Sequence, residues 1–221
     1  MHELPYPLRA HPTIGINMLF AYKLKQEPDL GKETKRNNIR DIAARVFAKN
    51  GFERTTIRGI AEEGDISAAS IYYYFDSKEE LLYQILDETM STGLELIKNI
   101  KKKNATKKEQ LVEILRMHTL TAIDFDKMKL LVHEQNCLSS GHRDALKLKQ
   151  KKYMSLLTKV FESLKEKDQM RDLDPKVCAF AFFGMVSWAY RWFKPDGAMS
   201  TQQLADSFTE IFTKGIFLNP E

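Results

Sequence analysis

Residues 67–75 read Ser-Ala-Ala-Ser-Ile-Tyr-Tyr-Tyr-Phe, which puts methyls, hydroxyls and phenol rings on one short segment. As a helix, this segment turns Ile71, Tyr74 and Phe75 inward at i, i+3 and i+4, leaving Ala69, Ser70, Tyr72 and Tyr73 on the outer face. A helix with small residues in its first turn and hydroxyls and rings beyond it can enter a DNA major groove about 12 Å wide. Its first residues then meet base edges while its neighbours fix the backbone. The alanines matter because they permit close approach, and a methyl can also touch the thymine methyl.

Other reactive residue types form no such set. His118, His133 and His142, with Glu134 and Cys137, match no zinc spacing, so ordinary polar or core histidines are expected and no metal. No nucleophile–base arrangement, Gly-rich phosphate loop or paired carboxylates stand out, so the sequence predicts no catalytic residue, no cofactor and no enzyme. The lysines at 98, 101, 102, 103, 107 and 108 read as a solvated helix end and bend.

The elements that must position the 67–75 segment are legible on either side of it. Ile39, Ile42, Ala43, Val46 and Phe47 form a one-sided helical stripe that should stop near Asn50-Gly51. Thr55-Thr56 caps a second short helix with Ile57, Ile60 and Ala61 inward; Gly64-Asp65 breaks it, and Ser67 caps the third. Ser77-Lys-Glu-Glu80 is a capping box opening a long fourth helix to about residue 100. Three short helices with tight turns within about fifty residues suggest a helix-turn-helix unit. Further helices are expected near 107–124, 127–138, 143–168, 174–193 and 201–217. With no sustained alternating pattern, the fold class is all-α.

Composition sets the frame. With 221 residues, the chain can bury a core without disulfides. Its two cysteines, Cys137 and Cys178, form no disulfide framework, and no apolar run approaches the roughly 20 residues of a membrane span. A cytoplasmic protein is expected. Residues 1–33 hold four prolines and no helical stripe, so they read as a mobile extension, with Met18 as an alternative start. The formal net charge of +4 does not mark the nucleic-acid segment, because basic and acidic side chains balance within 32–83. Placement, not total charge, must attract phosphate there.

The positions Ile39, Ala43, Ala44 and Phe47, then Gly51-Phe52, Thr55-Thr56, Ile60-Ala61, Ile66-Ser67, Ile71-Tyr72, Phe75, Ser77-Lys78 and Leu81, together resemble the TetR-family DNA-binding domain. The resemblance covers residues 35–82 and implies a ligand-responsive repressor that binds a palindromic operator as a homodimer. It implies phosphate contacts from Lys35, Arg36, Thr56 and Lys78, and base reading or clamping from Ser67, Ala68, Ala69, Ser70, Tyr72 and Tyr73. The chain departs from the family in two places. Gly64-Asp65 stands where Ala-Gly is usual, a turn Asp can still serve because it tolerates the left-handed conformation. Ala68-Ala69 stands where a Lys or Arg and a Gly are frequent, which removes one guanine contact.

The same resemblance divides the chain into 1–33, a DNA-binding domain at 34–82, and a helical ligand-binding and dimerisation domain at 83–221. Residues 177–190 are apolar nearly all round, and the last helix carries Leu204, Phe208, Ile211, Phe212, Gly215 and Ile216 on one face. Two such helices can pair with their symmetry mates, with Phe182, Val186, Phe208, Ile211, Phe212 and Gly215 as the candidate interface. Residues 188–200, beginning Trp-Ala-Tyr-Arg-Trp-Phe-Lys-Pro-Asp-Gly, are similar to a segment of TetR-family regulators of fatty-acid and related acyl-CoA catabolism. That likeness implies an acyl-CoA effector, its tail among Phe125, Leu131, Leu157 and Phe183, with Trp188 and Arg191 as further candidates. The alternatives are a regulator of drug efflux sensing a hydrophobic or cationic compound, and an all-α ligand-binding protein that does not bind DNA.

Overall fold

Side chains at helical spacing pack into helices throughout the computed structural model, which describes residues 30–101, 105–122 and 124–218. The expectations for residues 1–29, Met18 among them, and for Lys102 and Lys103 fall outside the described residues. Nine α-helices are present among the described residues: α1 Leu30–Asn50, α2 Ile57–Glu63, α3 Ala68–Tyr74, α4 Lys78–Lys101, α5 Lys107–Thr121, α6 Phe125–His133, α7 Ser140–Lys165, α8 Pro175–Ser187 and α9 Thr201–Ile216. Single 3-10 turns follow α6 at Gln135–Cys137 and α8 at Ala189–Arg191. The all-α expectation holds. The β-type pairing described is one isolated bridge, Met170 with Phe217.

By its contacts the chain divides into two units, residues 1–38 and 39–221. Of the first, the structure describes the opening turns of α1. They begin at Leu30, so the last four residues of the sequence-based extension belong to the helix. Gly31 to Lys35 are all exposed, so no apolar stripe could announce these turns, while Glu33 in the first turn suits the positive end of the helix dipole.

The second unit begins with the predicted stripe. Ile39, Ile42, Ala43, Val46 and Phe47 are all buried, and α1 ends at Asn50. Gly51 follows at φ +83°, the left-handed conformation that lets the chain reverse without a Cβ clash. The prediction is direct. Gly51→Ala should destabilise the protein by about 1–2 kcal/mol, lowering the melting midpoint by roughly 2–8 °C in a thermal melt. An unchanged midpoint would contradict the strain argument.

Caps set the next two helices. Thr56 Oγ1 accepts from the Gly59 amide at 3.1 Å, and Ser67 Oγ accepts from the Ser70 amide at 3.0 Å. Between them Asp65 sits at φ +49°, so the turn survives the departure from Ala-Gly by using aspartate's tolerance of this region. Gly64 leaves room for Ile42: a Cβ there would lie 2.9 Å from Ile42 Cδ1, so the end of that side chain would have to shift. At the start of α4, Ser77 Oγ accepts from the Glu80 amide at 3.0 Å, while the Glu80 carboxylate is engaged by Gln84 and His142. The C-terminal part of the unit forms a bundle in which α5 packs on α4 and α9, and α7 packs on α4 and α8. Its core includes Leu111, Ile114, Leu115, Leu146, Tyr153, Leu157, Phe161 and Phe182. No described helix is long and apolar enough to cross a membrane.

Candidate functional site

Helix α3 is the shortest route from sequence to chemistry. Its inner side is fixed by Ile71 and by the helix-ending Phe75, which are 0% and 1% exposed, with Tyr74 half-buried. Ala69 and Ser70 are exposed, and Tyr72 and Tyr73 are 55% and 67% exposed. Two neighbouring rings this open form an aromatic patch, the kind of surface feature that marks an interaction site. Tyr73 stands edge-on to Tyr74 with centroids 4.8 Å apart, which steers its phenol away from the helix axis. Ala68 departs from expectation, since it is half-buried against the core.

The supporting residues sort by side. Of the two threonines, Thr55 is buried and donates to the Gly51 carbonyl at 2.8 Å, while Thr56 is exposed at the N-terminus of α2. Thr56 and Ser67 each use an oxygen lone pair for capping, which leaves the hydroxyl hydrogen available to a phosphate. Lys35 and Arg36 lie in the second turn of α1 in the other unit; Lys35 is exposed.

Lys78 differs from its sequence-based role. Its ammonium donates to the carbonyls of Phe52 and Thr55, both at 2.9 Å, with Glu53 at 3.5 Å, and it lies 4.2 Å from the Phe52 ring centroid. A cation so occupied holds together the corner between α1 and α2, immediately before the Thr56 cap, rather than reaching outward.

This corner is tied to the bundle by charge. Lys127 of α6 meets Asp41 at 2.7 Å and Asp124 at 3.0 Å, and Lys129 donates to the Ala48 carbonyl at 2.5 Å. Arg40 meets Glu88 at 3.3 Å. At the start of α4, Glu79 accepts from the Ser139 amide at 2.8 Å and from His142 at 2.7 Å, and His142 stacks on Tyr83 at 4.0 Å. The Ser139 amide, then His142, holds the Glu79 carboxyl below its usual range. A lowered carboxyl stabilises the fold above its unfolded value, and that contribution fades as acidification passes the lowered one. Beside the Lys127 pair lies a polar cleft of about 340 Å³ lined by Asp41, Ala44, Arg45, Asp124, Asp126 and Lys127. Burial, then Asp124, raises the Asp126 carboxyl there. None of the expected acyl-tail residues lines that cleft. No metal-binding cluster occurs among the described residues.

The candidate effector residues fall into three groups. Leu157 and Phe183 lie together on facing helices, Leu157 fully buried and Phe183 half-buried beside Tyr153, 6.1 Å between centroids. Leu131 is buried on α6, and Phe125 stands edge-on to Phe193 at 5.9 Å. Trp188 and Arg191 belong elsewhere: Trp188 is 55% exposed, with the Arg191 guanidinium 5.1 Å over its ring.

The interface candidates need a similar correction. Phe182, Val186 and Phe208 are buried inside the protomer, because α8 turns the first two toward α7 and α5, and α9 turns Phe208 inward where it packs on α5. The outward apolar stripe of α8 is instead Val177, Phe180, Gly184 and Trp188, joined on α9 by the exposed Ile211 and Gly215 and the half-buried Phe212.

One buried pair went unrecognised in the sequence. His118 of α5 and Tyr153 of α7 meet at 2.7 Å, Oη to Nδ1, inside the bundle. Burial pushes the His118 imidazole down to about 4 and the Tyr153 phenol up. A signal was present: Leu111, Ile114, Leu115 and His118 share one helical stripe, so a histidine stood on a face destined for the core.

Comparison with known proteins gives this arrangement a context. Residues 39–85 match the family model described as bacterial regulatory proteins, tetR family, and residues 104–216 match that of the tetracyclin repressor-like C-terminal domain. The HTH-type transcriptional repressor KstR2 of Rhodococcus jostii (strain RHA1) is 30% identical over 197 residues, covering 84% of this chain and 93% of the relative. The fatty acid metabolism regulator protein of Bacillus subtilis (strain 168) is 26% identical over 188 residues, covering 84% and 97%. Among solved structures, AibR in complex with isovaleryl coenzyme A and operator DNA superposes with a TM-score of 0.71 at 29% identity, covering 80% of this chain and 97% of that one.

Proposed function

Because the chain belongs to the TetR family of bacterial regulators, we propose that it is a homodimeric transcriptional repressor released from a palindromic operator by an acyl-CoA thioester. The carrying observation is α3, a capped helix with Ser70, Tyr72 and Tyr73 exposed together on one side. Residues 34–82 bind DNA, and 83–221 bind the effector and the second subunit. Ala69, Ser70, Tyr72 and Tyr73 read or clamp the groove, with Ala68 at its edge. Lys35, Arg36, Thr56 and Ser67 bond phosphates, and Lys78 holds the corner that presents them. Recognition helices from two subunits lie one DNA turn apart, about 34–36 Å.

Named relatives support the two parts of this reading: KstR2 is a repressor, while the Bacillus protein regulates fatty acid metabolism and AibR holds isovaleryl coenzyme A with its operator. The acyl chain lies among Leu157, Phe183, Leu131 and Phe125, while Trp188 joins the subunit contact. A ligand shifts operator occupancy only by its differential affinity for the two states. The protein acts as a regulator in the cytoplasm and not as a catalyst. Footprinting the chromosomal DNA around its own gene should show one protected palindrome, vacated on adding an acyl-CoA and retained with free CoA. Release by a hydrophobic cation instead would replace this reading with one of drug sensing.

A further inference from the structure

Buried polar groups are paired in native structures, and one left without a partner inside a ligand-binding body asks what completes it. His118 presents such a group. Its Nδ1 is satisfied by Tyr153 Oη at 2.7 Å, but its Nε2 is buried and has no hydrogen-bond partner among the described residues. Aromatic rings surround it: Phe182 at 5.6 Å, Phe183 at 6.1 Å and Tyr153 at 5.3 Å between centroids. One turn beyond Phe183 on α8, the Ser187 hydroxyl is also buried without a partner.

The chemistry of the pair fixes what Nε2 offers. A neutral imidazole carries one N–H. A phenol is the stronger donor of the two groups, so Tyr153 donates to Nδ1 and the proton of His118 resides on Nε2. Burial keeps the ring neutral, since its pKa lies at about 4. The vacant partner is therefore an acceptor oxygen, and it sits in apolar surroundings. Phe183, whose ring centroid is 6.1 Å from that of His118, is itself half-buried.

We propose that His118 is the hydrogen-bonding point of the effector site, its Nε2–H donating to a carbonyl oxygen on the acyl part of the bound thioester. This rests on the acyl-CoA reading above and adds a selectivity to it. The site accepts an apolar skeleton bearing one buried carbonyl, and rejects a skeleton of the same shape without it. That oxygen belongs either to the thioester itself or to a ketone further along the chain, and the two sources are separable by ligand.

Calorimetry on the full-chain dimer with three CoA derivatives of equal chain length tests this. The first is an acyl-CoA; the second an S-alkyl-CoA, whose carbonyl is a methylene; the third an S-alkyl-CoA with a ketone in the chain. At least one carbonyl ligand should bind about 10–100-fold tighter than the plain thioether. His118→Phe should abolish that preference, because the phenyl ring carries no Nε2–H donor; it also removes the Nδ1 acceptor of Tyr153 Oη, so its melting midpoint is measured beside its binding. Equal affinity of all three ligands for the unaltered protein overturns the inference and leaves the effector reading standing; this arm needs no variant to fold. A preference that survives in His118→Phe overturns it as well. If no CoA derivative binds at all, the effector reading itself fails and takes this inference with it.

Discussion

Phe180→Asp combined with Ile211→Asp should yield a folded monomer whose operator affinity falls at least ~10³-fold, to the level of non-specific binding. The two side chains are 52% and 65% exposed, so aspartate at either position meets water in the isolated protomer and costs little there. In the assembled dimer the same carboxylates would be buried against an apolar face without partners, which is strongly unfavourable. The bundle core is untouched, since Phe182, Val186 and Phe208 face inward. Operator binding depends on two heads at fixed spacing, and one head alone makes half the contacts. Sedimentation gives the mass and a gel shift gives the affinity. A variant that stays dimeric, or a monomer that binds the operator normally, would contradict the assigned interface.

Tyr72→Ala and Lys78→Met should both weaken operator binding, but for different reasons. Tyr72 is 55% exposed, so its loss should lower affinity about 10–100-fold with the melting midpoint and the dimer unchanged. Lys78 holds carbonyls, and charge-assisted hydrogen bonds of this kind are worth about 1.5–3 kcal/mol. Its replacement by methionine should therefore lower the melting midpoint as well as the affinity, with the salt dependence of binding preserved. The opposite outcome, an unchanged midpoint with the salt slope reduced by about 1, would return Lys78 to the phosphates. Anisotropy titrations at several salt concentrations, run beside thermal melts, separate the cases.

The DNA-binding head was legible because its signals are local. Stripes such as Ile39 to Phe47 and caps such as Thr56 and Ser67 operate within a few residues, and even the unusual Asp65 could be read from its conformational tolerance. Lys78 could not be read this way: its carbonyl partners lie 23 to 26 residues away, and only folding brings them together. The start of α1 was invisible because Gly31 to Lys35 bury nothing. On α8 periodicity had no purchase, since both faces are apolar. Which face meets α7 and which remains outside is decided by tertiary packing, and Phe182 and Phe180 exchange places in consequence. His118 was on the correct stripe, but a stripe does not show that one ring nitrogen will be left over.

The ties between α6 and α1 bear on how the protein responds to salt. Asp41 and Asp124 are about half exposed where they meet Lys127, and pairs this open to water contribute about 0–1 kcal/mol each. Contacts that weak form and break readily, so these two pairs add little to the hold that the less exposed Arg40–Glu88 pair exerts. The hold of α6 on α1 through Lys127 should therefore loosen as added salt screens these charges.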